Sequence, residues 1–146
     1  MSLGSEDHAL MEASLVALGD GYEGMAAELF GDLIAAHPQH AHAFLNPAAA
    51  RERMTRETLE ALLGLAEDAP WVATTVIDFI DLHRGYAPFT ADDYADWFAR
   101  VIVAMERRAG AAWPAAASGA WRRQAARLTA LVAAELVRPA LADEAV

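Results

Sequence analysis

Leu29-Phe30-Gly31-Asp32-Leu33-Ile34-Ala35-Ala36-His37-Pro38-Gln39-His40-Ala41-His42-Ala43-Phe44 decides how the rest of the chain is read. Leu29, Phe30, Leu33 and Ile34 recur at helical spacing, so they form one apolar face of a helix. His37-Pro38 ends that helix, because the residue before a proline avoids the helical region. A second helical piece then fits between Pro38 and Phe44. Two helices meet here at a sharp corner, with large apolar side chains on both sides of it.

The same punctuation continues outward. Towards the amino terminus, Gly19-Asp20-Gly21 separates a helix from about Ser5 to Leu18 from one running from about Tyr22 to Ala36. Ser5, followed by Glu6 and Asp7, is a cap with an acidic first turn. Towards the carboxyl terminus, Asn46-Pro47 is a start signal, and the next helix begins there or at Thr55. Its stripe is Leu59, Leu62, Leu63 and Ala66. Ala69-Pro70 opens a helix to about His83, and Gly85 with Pro88 forces a loop. Thr90 and Asp93 form a capping-box pattern ahead of Tyr94, Trp97, Phe98, Val101 and Met105. Gly110 breaks that helix. Trp113-Pro114 opens the last, which fades before Pro139. Beta-branched alternation is nearly absent. The expectation is one all-α domain, residues 1–146, of six to seven helices.

Composition narrows the functions. The chain has 146 residues, 11 basic and 21 acidic, a net charge of −10 and no cysteine. Every basic residue is arginine. No cysteine means no thiolate metal site and no cysteine nucleophile. The negative charge opposes a phosphate backbone, so nucleic acid is not an expected partner. No run approaches the roughly 20 apolar residues of a membrane span. Met1 to Leu10 carries no basic residue and does not read as a secretory signal. A cytoplasmic location is the expectation. No phosphate-binding loop, nucleophile elbow or helix-borne pair of metal-binding histidines is present. Chemistry, if any, must come from something bound. Alanine supplies 36 of the 146 residues, so large core side chains are not abundant.

Three polar groups fall on apolar faces. His83 lies at helical spacing from Val76, Phe79 and Ile80. Glu135 lies likewise from Leu128, Leu131 and Val132. Tyr94 shares a face with Trp97, Phe98 and Val101. The plain reading of His83 is a buried histidine with one satisfied hydrogen bond. That of Glu135 is a helix end reaching solvent or Arg138. A joint arrangement, His83 to Glu135 to Tyr94, would satisfy all three. The spacing of His37, His40 and His42 does not fit one helical face cleanly, and no acidic or thiol partner is expected near them. They read as exposed histidines at a turn, and a metal there is not expected.

The ordered set of signals resembles the globin family. The spacing of six from Pro38 to Phe44, and of fourteen from Phe30 to Phe44, matches its second helix, terminal proline and corner phenylalanine. His83 falls where the proximal histidine lies, Tyr86 follows three residues later, and Trp113-Pro114 with Ala120-Trp121 is similar to the start of the last globin helix. The likeness runs from about Tyr22 to Arg138. It is nearest to the haem domain of bacterial flavohaemoglobins and their single-domain relatives.

The resemblance implies a globin fold around a haem b pocket, with His83 as iron ligand. It implies Phe30, Phe44, Thr55, Leu59, Phe79, Tyr86 and Trp97 against the haem, with Glu135 and Tyr94 tuning the imidazole. The implied ligand is dioxygen or nitric oxide. Nitric oxide dioxygenation is implied if a reductase domain or protein carrying FAD and using NADH supplies electrons. Two positions depart from the pattern. Phe30 stands where flavohaemoglobins usually carry tyrosine, and the distal position is Thr55 or Met54, with Thr55 preferred. The alternative expectation is a globin-fold sensor or interaction domain with altered or lost haem binding. Oligomeric state is not legible.

Overall fold

A computed structural model describes residues 3–43, 47–84 and 88–138. Among them are six α-helices and three short 3-10 helices, with no strand. The helices are α1 (Leu3–Leu18), α2 (Met25–Ala36), α3 (Pro47–Ala66), α4 (Val72–Arg84), α5 (Ala91–Ala109) and α6 (Ala115–Leu136). The short helices are Gly19–Tyr22, Pro38–Ala43 and Gly110–Ala112. The all-α expectation holds.

Helix limits follow the expected breakers, with local shifts. Helix α1 begins at Leu3, so Ser5 lies inside it rather than capping it. Helix α2 starts at Met25, later than expected, because Gly24 takes a left-handed conformation with φ of 77°. Helix α3 begins at Pro47, settling the choice between that position and Thr55. The capping box before α5 is formed in full, with Thr90 and Asp93 each accepting the other's backbone N–H. Phe44 and Tyr86 lie outside the described residues.

Helix α6 is the centre of the assembly and packs against α1, α3, α4 and α5. Ala117, Ala120, Trp121, Leu128 and Val132 are fully enclosed along it. The two alanines let neighbouring helices approach closely, and Trp121 supplies the bulk between them. Its indole Nε1 donates to Ser14 Oγ at 2.8 Å, and Ser14 donates to the Met11 carbonyl at 2.6 Å. Asp7 of α1 is buried but fully engaged, receiving Arg123 at 2.6 Å and Gln124 at 2.9 Å. Arg108 of α5 fixes the first corner through Glu28, Gly21 O and Glu23 O. No side-chain nitrogen or oxygen buried among the described residues lacks a hydrogen-bond partner. No described helix is long and apolar enough to cross a membrane.

Candidate functional site

A cleft opens between α3 and α4, floored by α2 and α5. Helix α3 contributes Arg53, Met54, Glu57 and Thr58, and α4 contributes Phe79, Leu82 and His83. Leu33, His37 and His40 come from α2 and the corner after it, and Phe89, Asp93, Tyr94, Trp97 and Phe98 from the segment through α5. The space, counted with its open mouth, is about 760 Å³. Much of that figure is open solvent at the mouth, and the wall itself is mainly apolar and aromatic.

His83 is held in a defined orientation. Its Nδ1 lies 2.6 Å from the Phe79 carbonyl, one turn back on α4. A carbonyl only accepts, so the proton is on Nδ1 and Nε2 carries the lone pair. Among the described residues Nε2 has no hydrogen-bond partner. Burial pushes the imidazole below the usual histidine value, while the Phe79 hydrogen bond works the other way. The ring is therefore neutral near pH 7, the state that can donate to a metal. Phe89 and Tyr94 meet it edge-on, with centroids 5.4 and 5.9 Å away.

The structure brings some expected site residues together and separates others. His83, Phe79, Tyr94 and Trp97 share the cleft. Phe30 is buried behind its wall, its ring 5.3 Å from that of Trp97. Thr55 and Leu59 are buried but do not line the cleft. Thr55 donates to the Arg51 carbonyl at 2.8 Å instead. Met54 takes the cleft position, together with Glu57 and Thr58 at three- and four-residue spacing, because one residue rotates a helix by about 100°.

The joint arrangement of His83, Glu135 and Tyr94 is not formed. The Glu135 carboxylate lies 3.0 Å from Arg138, and its backbone carbonyl accepts from Arg84 at 3.3 Å. The plain readings of His83 and Glu135 describe these contacts. Tyr94 meets the imidazole only through its ring, and burial pushes its phenol up to about 12.

Sequence reasoning missed Thr58, Phe89 and Asp93. Thr58 Oγ1 accepts from Trp97 Nε1 at 2.9 Å, joining α3 to α5 beneath the cleft. The signal was available, since Thr58 lies one turn after Met54. The reading of His37 and His40 as turn histidines without an acidic neighbour also needs correction. Folding brings Asp93 of α5 to both rings, and Asp96 lies 3.2 Å from His37 Nε2. Neither carboxylate is near in sequence.

No family model, curated protein or solved structure matches the chain.

Proposed function

We propose that the chain is a globin-like haem b protein that holds a diatomic gas ligand, in which His83 would ligate the iron. The observation that carries this reading is the setting of His83: Nδ1 bonded to the Phe79 carbonyl, with Nε2 unpartnered among the described residues, on the wall of an apolar cleft. Metal-binding histidines commonly donate their other ring nitrogen to a carbonyl or carboxylate in this way. Two further features support it. The resemblance sets His83 opposite the Met54–Thr55 step, and Met54 lines the same cleft. Phe79, Phe89, Trp97 and Phe98 line the cleft with apolar rings against which a macrocycle would pack.

When bound, haem supplies the iron that takes the gas ligand. The protein's own share is orientation and exclusion of water. Phe79 O fixes the imidazole tautomer, Phe89 and Tyr94 hold its plane, and Leu33, Met54 and Phe98 keep the interior apolar. A neutral carbonyl draws less on the Nδ1 proton than a carboxylate does, so the imidazole stays a moderate electron donor. That supports retention of dioxygen or nitric oxide over dioxygen activation. Nitric oxide dioxygenation, with electrons from an FAD- and NADH-using reductase, is the extended form of the same reading.

The test is spectroscopic. The chain produced with haem supplied should show a Soret band, and His83→Ala should change its position and its response to carbon monoxide. No Soret band after reconstitution overturns the proposal and leaves a haem-free globin-fold sensor or interaction domain. A band unchanged in His83→Ala overturns the ligand assignment.

A further inference from the structure

The cleft lining carries a second group of ligating side chains that the haem reading does not use. His37 closes α2, His40 lies in the corner helix after it, and Asp93 lies in the first turn of α5. One donor atom from each lies within 4.8 Å of the others.

Each of the three is positioned. The His37 and His40 rings stack at 5.3 Å and 17°. Phe89 braces His40 edge-on at 4.8 Å. Asp93 Oδ2 accepts from Thr90 N and Oγ1 at 2.8 and 3.2 Å, which fixes the carboxylate and leaves Oδ1 uncommitted among the described residues. Asp96 contacts His37 at 3.2 Å and is itself held by Arg100 Nε at 2.7 Å. A carboxylate behind an imidazole, anchored in turn, is the outer arrangement that orients metal-binding histidines.

We propose that His37, His40 and Asp93 bind a divalent zinc-type ion, with the fourth coordination position facing the cleft. Two imidazoles and one carboxylate suit zinc, and three protein ligands leave one position for water or a small anion. Donors about 2.0–2.2 Å from a tetrahedral ion stand about 3.3–3.6 Å apart, so the group must contract by up to about 1.5 Å. All three side chains are partly exposed, which leaves them room to close on an ion. The proposal is independent of the haem reading, because it uses neither His83 nor any haem.

The experiment uses the full chain, untagged, haem-free and stripped with chelator, titrated calorimetrically with zinc chloride. The expected result is one equivalent bound in the micromolar range or tighter. His40→Ala and Asp93→Asn should each weaken binding by at least about tenfold, the scale on which even an outer partner matters. His8→Ala should leave it unchanged, since that ring pairs with Glu12 at 2.7 Å on another face. Helix content from circular dichroism checks that each variant is folded. Cobalt substitution should give the intense visible bands of a tetrahedral site in the parent and not in His37→Ala. The proposal is overturned if the parent binds no more tightly than His37→Ala/His40→Ala, or if the loss follows His8→Ala or His42→Ala instead.

Discussion

His83 Nδ1 meets the Phe79 carbonyl at 2.6 Å, within one turn of α4, and does not reach across to Glu135 on α6. The partner that sets the imidazole's character is thus part of its own helix. Side-chain replacements on α6 leave it in place.

Glu135→Gln is accordingly expected to leave the absorbance spectrum and reduction potential of the haem-loaded protein unchanged, because its carboxylate serves Arg138. A potentiometric titration of parent and variant measures this. A clear shift in potential would show that the carboxylate acts on His83 after all.

The joint between α3 and α5 should be sensitive to Thr58. Thr58→Val removes the acceptor of Trp97 Nε1, which is buried with the residue. Stranding that N–H costs about 1–3 kcal/mol. Urea unfolding followed by tryptophan fluorescence should show a lower midpoint at unchanged slope.

Gly64 of α3 lies tight against Trp71 and Val72 at the start of α4. A Cβ there would lie 2.8 Å from Val72 Cγ2 and 2.8 Å from Trp71 Cζ2. Overpacking of this kind costs about 1–3 kcal/mol. Alanine inside a helix returns at most about 1 kcal/mol over glycine. Gly64→Ala should therefore be net destabilising by chemical denaturation. A midpoint equal to the parent's would mean that the half-exposed Trp71 swings aside.

Asp7 gives the stability a defined acid limb. Hydrogen bonds from Arg123, and then from Gln124, hold its carboxyl below the usual 3.8, against the opposing effect of burial. A folded-state value below the unfolded one means the unfolded chain takes up the proton first. The contribution is complete above the unfolded value and is lost as pH falls through the folded one. Thermal midpoints of the parent should thus drop steeply below about pH 4, and Asp7→Asn should be less stable at neutral pH with a shallower acid limb.

The helices were legible because their breakers are local. Gly19, His37-Pro38, Thr90 with Asp93, and Gly110 each act on their immediate neighbours. The site was legible only where one helix carries the relationship. His83, Phe79 and their hydrogen bond lie on α4, and periodicity alone puts them together. Thr55 against Met54 turned on a single-residue rotation, which a stripe of mixed residues does not fix. The neighbourhood of His37, His40 and Asp93 was hidden because it joins chain segments more than fifty residues apart. Only the packing of α2 against α5 creates it.

Among the described residues α6 is the last helix in the chain and the one against which α1, α3, α4 and α5 all pack. Translation therefore delivers α1, α3, α4 and α5 before the surface that covers them. Until Ala115–Leu136 leaves the ribosome, the faces of α1, α3, α4 and α5 that pack on it stay uncovered. The nascent chain passes through an interval of exposed apolar faces, which is when helper proteins that shield such faces would act. Ribosome-stalled chains ending before α6 should be digested rapidly by protease, and chains extended beyond it should resist.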